Sequence, residues 1–260
     1  MDILSFQLDE AERWLLMLFR IGGMVMIFPL YGYAAVPTQV RAGFAFLLTS
    51  VLFPLHTGMA LHLAPGIITF FGIVLKEIVI GIALGMTASF LFYGVQLAGH
   101  VIGYSMGFGI INVLDPDSQI QIPILAQLLN MFALLLFIII NGHHFLLMAI
   151  DETFLRIPLG GGVFTAPLVE GFARLSADIF TLGIKIGAPV LVAILVTEFA
   201  LGILARTVPQ MNVWIIGFPL KIGIGLLTMA LALPFFVFVF GKYYAGWQGQ
   251  FVDFIRAMAG

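Results

Sequence analysis

The chain has 260 residues, of which 11 are Lys or Arg and 13 are Asp or Glu, so only 9% are charged. Soluble domains carry about 25% charged residues, whereas 62% of this chain is hydrophobic. A fold of this size still exposes about a quarter of its chain surface, so lipid or other proteins must surround much of it. This composition excludes a soluble enzyme, a disordered chain and, at a net charge of −2, a nucleic-acid-binding protein.

Long uncharged runs predict membrane-type helices. Three stretches, 42–75, 78–114 and 118–150, contain no Asp, Glu, Lys or Arg. Each exceeds the roughly 20 apolar residues that span a bilayer as a helix. The alternating polarity of a transmembrane β-barrel is absent. We therefore predict one all-α domain over residues 1–260, built from polytopic hydrophobic helical hairpins with about six long, kinked helices.

Proline and glycine positions divide the chain into these helices. The predicted helices cover about 12–28, 40–53, 66–107, 124–140, 179–205 and 214–244. The third is long enough to be bent or broken, and residues 151–178 are predicted as the most polar connection. Asp9, Glu10 and Glu12 suit the first turn of the first helix, where the helix dipole favours negative charge.

Glycines form two stripes on the long third helix. Gly99, Gly103 and Gly107 recur at every fourth residue, and Gly81 and Gly85 form an earlier pair. Small residues at this spacing let another backbone approach closely where water is absent. General helix packing explains such a stripe as well. Because the later stripe leads into a glycine-bearing loop, we also consider a close-packed assembly site.

The loop over residues 107–123 is Gly-rich and apolar at first, and then turns polar at Asp115-Pro116-Asp117-Ser118. Irregular backbone at membrane depth persists only where protein buries it or where it lines a wet cavity. An apolar segment with glycine freedom is suited to filling a hole that must later open. The alternative is an ordinary loop at the membrane surface. The gating candidates are Met106, Gly107, Phe108, Gly109, Ile110, Ile111, Asp115 and Pro116.

Six charged residues lie within or beside the apolar runs, where charge marks a pathway or a partner contact. They are Lys76, Glu77, Lys185, Glu198, Arg206 and Lys221. Lys76 and Glu77 point about 100° apart on a helix, so they cannot fully satisfy one another. Their partners, and those of Lys185 and Glu198, are expected on other helices or other chains. Snorkelling to a headgroup is the alternative for the latter two.

No catalytic or metal constellation stands out. His143 and His144 are neighbours and do not form a metal-binding face of the i, i+4 type. Asp151 and Glu152 lie too far along the chain to complete a site. The sequence has no Cys and shows no Ser-His-Asp set or phosphate loop, so we expect neither an enzyme nor a cofactor.

Several short stretches occur in a recognisable order. They are Phe19–Gly23 with Pro29, Val36-Pro37 with Arg41, Lys76-Glu77 with Gly81 and Gly85, Gly99–Gly107, Asp115-Pro116, Gly142-His143, Leu204–Asn212 and Gly217–Lys221. Along nearly its whole length the chain resembles the FliR family, the flagellar members of the export-gate proteins of type III secretion systems. No single stretch is selective for one protein family, but the order and spacing of all of them along the chain make a chance resemblance improbable.

The resemblance implies a subunit of the gate through which unfolded flagellar proteins leave the cytoplasm, in the bacterial inner membrane within the flagellar basal body. It implies assembly with FliP-type and FliQ-type subunits into a closed helical cone lifted out of the bilayer plane, alongside FlhB-type and FlhA-type export components. Residues 1–165 resemble a FliP-type fold and 166–260 a FliQ-type hairpin. The loop at about 106–122 is expected to plug the pore.

Two alternatives remain open at this point. The first is the equivalent subunit of a virulence injectisome, because both branches share the pattern. The second is a stand-alone secondary transporter, which would need inverted repeats and a midplane site at broken helices. The sequence shows no such symmetry.

Overall fold

In the computed structural model the described residues are 3–28, 36–56, 67–108, 123–163, 165–210 and 212–260. All regular secondary structure in these ranges is helical, which confirms the all-α class. Eight α-helices occupy them: α1 Ile3–Ile27, α2 Thr38–Leu52, α3 Ile67–Met106, α4 Ile124–Ile139, α5 Gly142–Arg156, α6 Ala166–Thr207, α7 Val213–Leu231 and α8 Leu233–Ala259. A short 3₁₀ turn, Phe53–His56, follows α2 directly.

Four predicted helix ends agree with the structure to within a few residues. The predicted third helix is one helix, α3, of 40 residues. The helix α2 ends at Leu52, and Pro54 lies in the 3₁₀ turn that follows. The helix α1 ends at Ile27, two residues before Pro29. Proline punctuates these ends because it disfavours a helical conformation in the residue before it.

Three expectations about helix extent were wrong. The helix α1 begins at Ile3, so the acidic residues at 9, 10 and 12 lie beyond its first turn. The predicted polar connection 151–178 is largely helical, because α5 continues to Arg156 and α6 begins at Ala166. The last predicted helix is two helices that meet at Ala232. Pro234, whose missing N–H costs nothing in a first turn, favours starting a new helix there.

The break between α4 and α5 depends on Asn141. Its φ of 58° is the one positive value at a non-glycine position among the described residues. Asn tolerates this left-handed conformation better than most residues because its short polar side chain bonds locally. Gly142 then packs on the ring of Phe137, whose Cε2 would stand 2.3 Å from an added Cβ. The predicted helix end at Asn141-Gly142 is confirmed, and a new helix begins there.

The chain divides into two compact units. The first contains Met1–Phe90, Phe137–Ser176 and Trp247–Gly260, and the second contains Leu91–Leu136 and Ala177–Gly246. The helices α3, α4, α6 and α8 contribute residues to both units. The likeness of residues 1–165 to a FliP-type fold and of 166–260 to a FliQ-type hairpin stays a prediction.

An aromatic cluster fixes the end of α8 within the first unit. The indole N–H of Trp247 donates a hydrogen bond of 3.2 Å to the carbonyl of Thr87 on α3. The rings of Phe145 and Phe251 lie 5.5 and 5.1 Å from the Trp247 ring. Aromatic pairs at this separation stabilise a core beyond the area that they bury. The contacts join α3, α5 and α8.

Three helical segments among the described residues are long and apolar enough to cross a membrane, or five if two bent helix pairs each count as one span. They are α2 with its 3₁₀ turn, α3 and α6. Only 28% of the most apolar window of α3 and 33% of that of α6 is buried. With 40 and 42 residues, these two helices are about 60 Å long, twice the hydrocarbon thickness of a bilayer.

The two neighbouring glycines of the later stripe should respond differently to substitution. A Cβ at Gly99 would lie 2.3 Å from the backbone Cα of Ala126, whereas the nearest neighbour at Gly103 is Leu125 Cδ1, 3.9 Å away. Gly99→Ala must therefore push α3 and α4 apart, and we expect a cost of about 1–3 kcal/mol. Gly103→Ala should be neutral or stabilising by up to about 1 kcal/mol, because Ala favours helix. Apparent thermal unfolding midpoints of the purified variants in detergent measure the difference. Equal midpoints would contradict the α3–α4 contact.

Candidate functional site

A buried ion pair joins α1 to α3 at the centre of the first unit. Arg20 is 1% exposed and Glu77 is fully buried. Arg20 Nε lies 2.6 Å from Glu77 Oε2, and Arg20 Nη2 donates to Glu77 Oε1 at 3.1 Å. This two-pronged geometry is the strong form of an arginine–carboxylate bond. The guanidinium also lies 4.8 Å from the centre of the Phe154 ring.

The rest of the guanidinium satisfies the C-terminal end of α5. Its Nη1 donates to the carbonyls of Thr153 and Ile157, at 3.1 and 3.0 Å, and Nη2 donates to that of Pro158 at 3.4 Å. The last carbonyls of a helix have no partner within the helix and interact favourably with a cation. Arg20 therefore binds a carboxylate and a helix end at once.

Lys76 and Glu77 both hold the turn that follows α5. The backbone N–H of Gly160 donates to Glu77 Oε1 at 2.6 Å. Lys76 Nζ donates to the carbonyl of Gly160 at 3.0 Å and also to that of Gly161. Gly160 has a φ of 76°, which favours glycine. The predicted partners of Lys76 and Glu77 on other elements are thus present within this chain.

The earlier glycine pair brings the backbones of α1 and α3 into direct contact beside this ion pair. A Cβ at Gly81 would lie 2.1 Å from the carbonyl oxygen of Arg20, and one at Gly85 would lie 2.8 Å from that of Met24. Gly23 of α1 faces back, since its Cβ would be 2.9 Å from the carbonyl oxygen of Ile78. Only glycine permits so close an approach. Any further role of Gly81, Gly85, Gly99 and Gly103 in packing against other subunits stays a prediction.

The second unit contains the start of the predicted plug. Met106 ends α3 and is fully buried, and Phe108 is half-buried. Gly107 has a φ of 94°, and its N–H donates to the carbonyl of Tyr104 at 3.1 Å. The other gating candidates, Gly109, Ile110, Ile111, Asp115 and Pro116, lie outside the described residues.

The remaining predicted charges lie on α6 and α7 in the second unit. Lys221 Nζ is 2.5 Å from Glu198 Oε1, with the two side chains 19% and 48% exposed. Lys185 Nζ donates to the Tyr243 hydroxyl at 3.0 Å and lies 5.0 Å from the centre of its ring. Lys221 and Lys185 therefore each find a partner on another helix of the same chain.

Arg206 differs from these paired charges. It is exposed in the last turn of α6 and borders a cleft of about 780 Å³ with Phe199 and Ile203. No ion pair involves it within the described part of the chain. A second cleft of about 300 Å³ is lined by Glu198, Phe218 and Lys221, among others.

Sequence reasoning missed two elements of the first unit. Arg20 appeared only within the resemblance, although it is the one charged residue between Arg13 and Arg41 and so signals a buried ion. The second is the contact between His56 Nε2 and Asp151 Oδ1, at 2.7 Å, which ties the 3₁₀ turn to α5. Such a pair leaves no local pattern. The rings of His143 and His144 lie 4.2 Å apart, with their planes tilted by 39°. No three His, Cys, Asp or Glu residues meet as metal ligands within the described ranges.

Residues 11–246 match the model of the bacterial export proteins, family 1. The chain belongs to this family. It is 33% identical to the flagellar biosynthetic protein FliR of Escherichia coli K12, covering 86% of this chain and 88% of the relative. It is 32% identical to FliR of Bacillus subtilis 168, covering 87% and 88%, and 27% identical to FliR of Aquifex aeolicus VF5, covering 94% and 93%.

The export-family match spans both units. Every predicted site residue, from Lys76 to Lys221, lies inside the matched range 11–246. Arg20 and the turn at Gly160 lie inside it as well. The buried ion pair and the base of the predicted plug therefore belong to the export-family part of the chain.

Replacing Glu77 with Gln tests the buried ion pair. The variant keeps the shape of the side chain but leaves the Arg20 charge buried without its counterion, which costs about 3–5 kcal/mol. Asp253→Asn is the matched control, because Asp253 pairs with Arg256 on the surface at 3.1 Å, with the side chains 72% and 58% exposed. Removing such a pair costs less than about 1 kcal/mol. Protease resistance and steady-state amount in membranes report the effect. Equal behaviour of the two variants would show that the pair does not organise the fold.

Proposed function

We propose that this chain is a subunit of the flagellar type III protein export gate, in the bacterial inner membrane within the flagellar basal body. The observation that carries the proposal is the export-family match over residues 11–246. The relatives described above are flagellar biosynthetic proteins, which favours the flagellar system over an injectisome. They also favour it over a stand-alone transporter. The chain acts as a structural and gating subunit and not as an enzyme.

The uncovered apolar helix faces support assembly with other subunits. Exposed side chains on α6 include Leu195, Val196 and Phe199, which are 67%, 62% and 73% exposed. A contiguous apolar surface of this kind marks a protein or membrane contact. Because α3 and α6 are about twice as long as the hydrocarbon core of a bilayer is thick, lipid alone does not cover them. FliP-type and FliQ-type subunits cover the remainder, and FlhB-type and FlhA-type components adjoin the gate.

The loop at residues 106–122 seals the pore at rest. A pore wide enough for an unfolded flagellar protein leaks ions unless something blocks it, and apolar side chains block it by excluding water. Met106, Phe108, Ile110 and Ile111 supply apolar bulk, and methionine adapts to irregular surfaces. Gly107 and Gly109 supply backbone freedom. Asp115 and Pro116 are residue types that favour a turn.

Shortening the loop between Phe108 and Gln119 tests this function. The variant is expressed together with FliP-type and FliQ-type partners. We expect it to co-purify with them, because the helices that pack are unchanged, and to make the membrane leaky to small ions. Dye-reported depolarisation and slowed growth measure the leak against the unaltered chain expressed in the same way.

Two results would contradict the proposal at different points. A shortened chain that assembles and holds the wild-type membrane potential would assign the seal to the partner subunits. Failure of the unaltered chain to co-purify with the partners would overturn its assignment as a gate subunit.

A further inference from the structure

The last residue of α3 is held in a notch on α7. The Met106 side chain is fully buried. A Cβ at Gly225 would lie 2.5 Å from Met106 Cε and 2.8 Å from its Sδ. These distances are shorter than any ordinary contact between side chains. The notch therefore exists only because residue 225 of α7 has no side chain, and the Met106 thioether fills it.

The next residue is held by the same helix. Gly107 adopts a left-handed φ of 94°, and a Cβ there would lie 2.6 Å from Phe218 Cδ1. The Phe218 ring thus covers the point where the chain leaves α3. A left-handed residue at a helix end sets the direction of the chain that follows. Phe218 and Gly225 are seven residues apart, about two turns, and so share one face of α7.

Lys221 lies on the same face between these two contacts, three residues after Phe218 and four before Gly225. Its Nζ is 2.5 Å from Glu198 Oε1. The ion pair joins α7 to α6 at the level where α7 receives Met106 and Gly107. The Lys221 side chain is 19% exposed and that of Glu198 is 48% exposed, so solvent screens the pair only in part.

We propose that this face of α7, formed by Phe218, Lys221 and Gly225 and named the α7 anchor, positions the start of the loop at 106–122. The inference rests on the proposed role of that loop as a seal. The three residues act by positioning and do not themselves block the pore. The anchor fixes where the loop begins and the direction in which the chain leaves α3.

A disulfide between positions 106 and 225 tests the anchor in the assembled gate. The chain has no native Cys, so Met106→Cys with Gly225→Cys gives one defined pair. The sulfur at 106 takes the place of Met106 Cγ, which lies 2.8 Å from the ideal Cβ at 225, and a disulfide fits there. The control combines Met106→Cys with Leu227→Cys, since Leu227 is 63% exposed on α7.

After mild oxidation, maleimide–polyethylene glycol labels only the thiols that remain free. We expect the 106–225 pair to lose both mass shifts and the 106–227 control to keep them. The 106–225 variant should export at the same rate when oxidised as when reduced, because the anchor stays closed during export. Retention of both shifts in the 106–225 pair, or an export loss that a reductant reverses, would overturn the proposal.

A second set of variants connects the anchor to the seal. Gly225→Ala displaces Met106 and should depolarise the membrane, whereas Gly223→Ala on the same helix, where an added Cβ would meet nothing within 4 Å, should leave the potential unchanged. A Gly225→Ala gate as tight as the wild type, when the shortened loop leaks, would contradict the anchor. If the gate with the shortened loop does not leak, the proposed sealing role of the loop is wrong. The disulfide yield then tests the contact between positions 106 and 225 independently of that role.

Discussion

The ion pair between Arg20 and Glu77 determines how the first unit is built. An isolated ion in so apolar a chain would cost several kcal/mol, so each of these two charges must find the other. Their bond brings α1 to α3, and the remaining guanidinium donors draw in the end of α5. The close helix approach that this requires is provided by Gly81, where a side chain would collide with the α1 backbone. The ion pair between Arg20 and Glu77 therefore depends on the glycine that lets α1 and α3 approach.

Charged residues of the second unit also find partners within the chain, which leaves apolar side chains exposed on its helices. Glu198 is matched by Lys221, and Lys185 by a tyrosine hydroxyl, so these ions meet partners inside the chain. What remains outside is mostly apolar, as on α6, where Phe199 is 73% exposed. Removing such a surface from water is favourable. A subunit that satisfies its own ions and exposes apolar helix faces is suited to packing among similar helices, as the proposed export gate requires.

Local patterns predicted the parts of the fold that depend on local physics. The bounds of α3 followed from the proline and glycine residues at its two ends, and the failure of Lys76 to satisfy Glu77 followed from helix geometry. Tertiary contacts were beyond such reasoning. Gly99 and Gly103 are equivalent by spacing, yet only Gly99 touches another backbone. The helical course of residues 166–178 was missed because polar residues there suggested a connection, although Leu168 and Leu175 bury one face.

The proposed export gate requires other subunits to cover the apolar faces of this chain. A photo-crosslinking amino acid at position 199, replacing an exposed Phe, tests it in living cells, with position 16 as the buried control, since Leu16 is fully buried. We expect covalent adducts between position 199 and a FliP-type or FliQ-type subunit, identified by mass spectrometry, and none from position 16. Adducts with lipid alone at position 199 would contradict it, because that face would then lie in the bilayer.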